Sequence, residues 1–284
     1  VENPLGVDID EKLNLLIVNG TNKIYVWNQY LNNIGVDSIV VGISADTNYI
    51  FSGDPAKIDS IMNIHLFYED PNPMSSFQGI AFGPSNENTV FVTDNGTNRI
   101  LMLSIDYSGG VLLSNGSLFV TFTGRYQKDV ATFGSGAGTV DNPQGITVDD
   151  YGNIYFTQLG GNFFVQKLEP QGDKYVSAYT LYEDPIMDLN RFNGPHDIAL
   201  GENDAIFVTD TEEGIVYKFH NTGSRAGNLA NLGNEGLSEA TFAYPQAIAV
   251  SDNETVYIAD TKNNRIETYQ YSVSETDLPD KDRP

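Results

Sequence analysis

The chain has 284 residues, with 38 acidic against 15 basic side chains, a formal net charge of −23, 27 glycines and no cysteine. That acidity repels polyanions, which excludes nucleic acid and anionic membrane surfaces as partners and admits cations and basic proteins. Disulfides and thiol catalysis are excluded, and no run of about 20 apolar residues is present for membrane insertion.

Short apolar runs bounded by Gly, Asn and Asp fill the chain, and apolar residues at helical spacing are nearly absent. This predicts many short strands joined by tight turns. The first unit, NPLGVDIDEKLNLLIVNGTNKIYVWN from Asn3, has a small-sided run, a β-branched run and, after a polar turn, a third run. A weaker copy, VGISADTNYIFSGDPAKIDSIM from Val41, keeps the same order, with Asp54 ending its aromatic strand. Fuller copies follow as FQGIAFGPSNENTVFVTDNGTNRILML from Phe77 and NPQGITVDDYGNIYFTQLGGNFFVQKL from Asn142. The last two are GPHDIALGENDAIFVTDTEEGIVYKF from Gly194 and YPQAIAVSDNETVYIADTKNNRIETY from Tyr244. A fourth apolar run lies in the spacers, as in IHLFYEDP from Ile64, SLFVTFTG from Ser117 and YTLYEDP from Tyr179.

A four-stranded antiparallel unit cannot bury both its faces alone, so the copies pack side by side around a ring. The expectation is an all-β fold, a single β-propeller over residues 1–271 followed by a polar tail, 272–284. Six units of about 47 residues fit the length and predict six four-stranded blades. Five blades with an insertion at 29–76 is the alternative. The repeat resembles the NHL family, whose pattern runs P-x-G-I-A-V-D, N-I-Y-V-A-D and N-N-R-I; PQAIAVSDNETVYIADTKNNRIETY follows it almost throughout.

In such a ring the first strand of each blade lines the channel, and the second runs antiparallel to it. The residues before each first-strand start, Leu5, Val41, Gln78, Gln144, His196 and Gln246, then ring the channel mouth. The ends of the second strands, Asn19, Asp54, Asp94, Gln158, Asp210 and Asp260, share that face. One reading of these acids is a collar for a cation or a basic partner. The preferred reading is that each caps its turn and pairs with a base such as Arg99 or Arg265, because the family keeps this Asp across unrelated functions. The expected ligand face therefore comprises Gln78, Gln144, His196, Gln246, Asp94, Asp210 and Asp260.

PHDIAL, IFVTD and VYKF also resemble lyases that cleave hydroxyglycine peptides, whose zinc is held by several converging histidines. Here the other histidines, His65 and His220, are expected away from the channel, so a catalytic zinc is disfavoured. Calcium held by carbonyls, Gln oxygens and Asp8 is the easier metal; otherwise no cofactor is expected. Neither G-x-S-x-G, H-E-x-x-H nor a Walker loop occurs.

Sequons at Asn19, Asn95, Asn115 and Asn253 point to an extracellular or cell-surface glycoprotein. The chain starts at Val1 with no initiator Met and reads as processed or as a fragment. After RIETYQYSVSE only TDLPDKDRP remains, so the last blade is expected to leave an edge open. Such an edge recruits other strands; a chain that has lost its closing strand is the alternative. The expected function is a non-enzymatic binding or structural module for a protein or glycan partner, with self-assembly through the edges. A metal-dependent hydrolase or lyase in the channel is the rival.

Overall fold

The computed structural model describes residues 3–9, 14–28, 38–43, 47–52, 64–84, 87–112, 118–162, 164–180, 192–201, 205–220, 242–251, 253 and 255–270. Asp54, Asn115 and the tail 272–284 lie outside them. The described residues form an all-β propeller.

Blade one contains β1 (Gly6–Ile9), β2 (Asn14–Val18) and β3 (Lys23–Asn28). The chain then makes a hairpin, β4 (Ser38–Ile43) and β5 (Thr47–Ser52), before β6 (Ile64–Glu69) returns to pair with β3. Blade two is β7 (Phe77–Phe82), β8 (Thr89–Asp94), β9 (Arg99–Leu112) and β10 (Leu118–Thr132). Blade three is β11 (Pro143–Val148), β12 (Ile154–Gln158), β13 (Val165–Gln171) and β14 (Lys174–Thr180). Blade four has β15 (Pro195–Leu200), β16 (Ala205–Asp210) and β17 (Ile215–His220). Blade five has β18 (Pro245–Val250), β19 (Thr255–Asp260) and β20 (Arg265–Gln270).

Five blades are thus described, three with four strands and two with three. The weak repeat at Val41 does not supply a first strand to the channel. Among the described strands its hairpin pairs only within itself and packs against β9.

Close approach is what the glycines provide. A Cβ on Gly6 would stand 2.6 Å from the Gln78 carbonyl oxygen, and one on Gly79 2.6 Å from that of Gln144. The first strands consequently run side by side, β1 with β7, then β11, β15 and β18. The turns into β9, β17 and β20 close on Asn98, Gly214 and Asn264, all at positive φ, which only Gly and Asn adopt readily.

Four apolar seams join consecutive blades. Because strand side chains alternate between faces, each second strand serves two seams. Val90 and Val92 pack on blade one while Phe91 packs on blade three. Ile154 and Phe156 pack on blade two while Tyr155 packs on blade four. Ile206 and Val208 pack on blade three while Phe207 packs on blade five. With both faces buried, these strands read as continuous apolar runs rather than polar–apolar alternations.

Candidate functional site at the channel mouth

Pro143 pairs with Gln158, Pro195 with Asp210 and Pro245 with Asp260, so first-strand starts and second-strand ends share one face. The five first strands wall a channel of about 520 Å³ whose lining includes Leu5, Gln78, Gln144, His196 and Gln246. The backbone of Val41 lies in β4, off the ring.

Asp94, Asp210 and Asp260 are fully buried and turned into their own turns. Asp94 accepts the Ser76 N–H at 2.8 Å, the Thr97 N–H at 3.2 Å and Arg99 Nε at 3.1 Å. Asp210 accepts the N–H groups of Asn193, Gly194 and Glu213 at 2.7, 2.9 and 3.1 Å. Asp260 accepts the Ala243 N–H at 2.6 Å, Asn263 Nδ2 at 2.7 Å and Arg265 Nε at 2.8 Å. Burial raises the Asp260 carboxyl, but the Asn263, Arg265 and Ala243 donors outweigh it and hold it below the usual range. In blade three Gln158 takes this place, its Oε1 accepting the Asp141 N–H at 3.0 Å. These acids hold loops to strands; they do not form a collar open to solvent.

Arg99 ties this turn to blade one, reaching Asp70 at 2.8 Å and Asp129 at 3.3 Å. Burial pushes Asp70 up, yet the Asn72 N–H, the Tyr68 hydroxyl and Arg99 keep it below the ordinary value. Sequence reasoning passed over Asp70; the repeated YEDP stretch was its signal.

The mouth residues are fixed by the seams. Thr93 Oγ1 accepts the Gly79 N–H at 2.7 Å and donates to the Gln144 carbonyl. Thr157 Oγ1 accepts the Gly145 N–H at 2.9 Å and donates to the His196 carbonyl at 2.7 Å. At the fourth seam the pattern changes. Thr209 Oγ1 accepts the Asp197 N–H at 2.9 Å, and the bond to the Gln246 carbonyl is made at 2.8 Å by His196 Nδ1. His196 therefore takes over a threonine's linking role. Burial lowers its pKa against the opposing effect of the Gln246 carbonyl, so the ring is neutral near pH 7.

Asp197 stands where blades two and three have glycine. Its Oδ1 accepts the Ile198 N–H and its Oδ2 the Ile248 N–H of blade five, both at 2.9 Å. Burial pushes its pKa up to about 6, against the two N–H donors. Asp8 makes the corresponding link from blade one, its Oδ2 accepting the Phe82 N–H at 2.7 Å. The expected calcium ligand is thus committed to a seam. Among the described residues no three His, Cys, Asp or Glu side chains gather around a metal-sized space. His65 lies on β6 and His220 at the end of β17, neither a channel strand; their side chains are outside the described set.

Of the sequons, Asn253 is exposed. Asn95 is part-buried at the seam of blades two and three, its Nδ2 2.5 Å from Asn142 Oδ1. Asn19 accepts the Thr21 hydroxyl at 2.8 Å.

The NHL repeat family profile matches residues 242–269. A probable peptidyl-alpha-hydroxyglycine alpha-amidating lyase of Caenorhabditis elegans is 28% identical over 160 residues, covering 56% of this chain and 45% of the lyase. Human teneurin-4 is 26% identical over 227 residues, covering 71% of this chain and 8% of teneurin-4. The chain thus spans less than half of each of these relatives. Among solved structures, a chain of a nidogen/laminin complex aligns with TM-score 0.57 and 15% identity, covering 94% of this chain and 75% of that one. That likeness shows the fold alone.

Proposed function

This chain is an NHL-repeat β-propeller, and from that premise we propose that it is a binding module that takes a protein or glycan partner at the channel mouth. The observation that supports this most is the mouth itself: amide and imidazole side chains on a ring whose backbone carbonyls are tied across the seams by Thr93, Thr157 and His196. A preorganised polar rim over an open channel lowers the ordering cost of binding.

We take the ring to have six blades, one more than is described. What supports this is a pair of open faces. Val7 is 57% exposed, whereas its counterparts Ile80, Ile146, Ile198 and Ile248 are buried. Ile266 is 64% exposed, whereas Ile100, Val165 and Val216 are buried. A further blade fits between these faces. Self-assembly through them is the alternative cover, and a monomer by light scattering removes it. The exposed Asn253 sequon supports an extracellular place, which a mobility shift on glycosidase treatment tests.

The test of binding is a peptide and glycan array probed with the wild type and with Gln78→Leu/Gln246→Leu. Loss of the bound partner in the variant is expected; retention of every partner sinks the proposal. The rival lyase reading has one supporting observation, the similarity to the amidating lyase. Stoichiometric zinc after reloading, together with cleavage of an α-hydroxyglycine peptide, would establish it.

A further inference from the structure

We propose that the channel mouth selects an ammonium or guanidinium group, because the side chains around it present lone pairs and not N–H donors. This inference rests on the mouth being the binding face, and it names the chemistry of what binds there.

The direction of each amide follows from its partners. Gln144 Nε2 lies 3.1 Å from the Asn142 carbonyl oxygen, an atom that only accepts, so the nitrogen end is bound and Oε1 is left. Gln78 Nε2 lies 3.0 Å from Ser76 Oγ, whose own hydrogen is directed at the Gly20 carbonyl 3.0 Å away. The serine must accept, so Gln78 also keeps Oε1 free. His196 Nδ1 faces the Gln246 carbonyl and must carry the hydrogen, which leaves the lone pair on Nε2. The Gln246 amide makes no hydrogen bond within the described residues, so it turns whichever end the ligand requires.

These oxygens are not shut away. Among the described residues the one buried side-chain polar atom without a partner is Thr89 Oγ1, so the free ends of Gln78 and Gln144 are open to the channel. Among the described residues no lysine or arginine lines the channel, whereas Asp8 and Asp197 do. Each accepts a backbone N–H of the next blade, and the two acids add negative potential to a rim of acceptors. Three acceptors on separate blades suit a group with several N–H bonds around one positive centre. A sugar needs both donors and acceptors, and a carboxylate needs donors alone.

The experiment titrates n-butylammonium chloride, n-butanol and methyl glucoside into the protein at about 0.15 M salt, where long-range attraction is screened. Ring signals of His196 and side-chain amide signals of Gln78 and Gln144 report binding. Saturable shifts with butylammonium alone are expected. Gln246→Leu, which breaks no internal bond, should weaken it about threefold, and Gln78→Leu/Gln246→Leu about tenfold. His196→Gln should keep affinity within about twofold, since an amide oxygen replaces the imidazole nitrogen, whereas His196→Lys should abolish binding. Thermal melts establish that each variant is folded. An acetyl-Gly-Lys-Gly amide and its acetyl-lysine form separate a protein side chain from a free amine as the source. Butylammonium binding that ignores these substitutions would come from the general acidity and overturns the inference. Mouth-dependent binding of glucoside instead also overturns it, while leaving the binding-face reading intact. If no array partner responds to the mouth variant either, both fall together.

Discussion

Blades four and five carry nearly the same second strand, IFVTD against VYIAD, in different surroundings. In β16 Phe207 is sealed between blades four and five, while its counterpart in β19, Tyr257, is 42% exposed. Val256 and Ile258, on the other face of β19, are buried against blade four. Alternation along these strands therefore does not separate core from solvent; it separates the preceding neighbour from the following one. The same comparison bears on Ala259. Thr93 and Thr157 reach the Gln144 and His196 carbonyls of the next blade, whereas blade five has no described blade after it for a hydroxyl to reach.

The largest way to break that comparison is truncation of the aromatics. Phe207→Ala should cost about 3–5 kcal/mol in urea denaturation, and Tyr257→Ala a comparable amount where the further blade covers it. A Tyr257→Ala cost under about 1 kcal/mol would mean that the outer face of blade five is bare. Next come the turn acids. Asp94→Ala strips two N–H partners and leaves Arg99 facing Asp70 and Asp129, at a cost of about 3 kcal/mol. Asp260→Ala should cost about 1–2 kcal/mol, because Arg265 is more exposed and stays solvated. Smaller again is Thr157→Val, at about 1–2 kcal/mol, against a change within about 0.5 kcal/mol for Ala259→Thr.

The smallest effect is in the pH profile at the seam of blades four and five. Asp197 has a folded pKa raised to about 6, so the folded chain holds its proton where the unfolded chain has lost it. Its contribution to stability is therefore greatest at acid pH and is lost as pH rises from about 4 to about 6. His196 has a lowered folded pKa, so its contribution runs the other way, rising with pH up to the ordinary imidazole value. Asp197→Asn should remove the first slope and His196→Gln the second, read as melting temperature from pH 4 to 8. Unchanged slopes in both variants would show that other groups carry the profile.

Most of the architecture was legible because the repeat writes it several times. The Gly at the first-strand start of blades one to three, the apolar second strand of every described blade and the Asp that ends it in blades two, four and five recur in the same order, and each has a physical duty in the ring. The place of the Val41 hairpin was not legible, since Gly42-Ile43 and the aromatic run after it keep the order of a blade although the described hairpin packs on β9 instead of entering the channel. At the site, the mouth ring of Gln78, Gln144, His196 and Gln246 was readable from position alone. The role of His196 was not, because it depends on which carbonyl of the next blade comes within reach. Asp197 was visible in PHDIAL, but Asp8, which makes the similar link from blade one, stands two places further along its repeat, so no repeated position marked the two as partners in one role.

Second strands that serve two neighbours at once also set how the molecule comes apart. Removing blade five uncovers Phe207, removing blade four then uncovers Tyr155, and removing blade three uncovers Phe91. Each loss weakens the next blade, so an opening that starts at blade five should spread blade by blade, with near-neighbour coupling rather than one global event. Along that path the backbone amides of β19 exchange with solvent first, those of β16 next and those of β8 last.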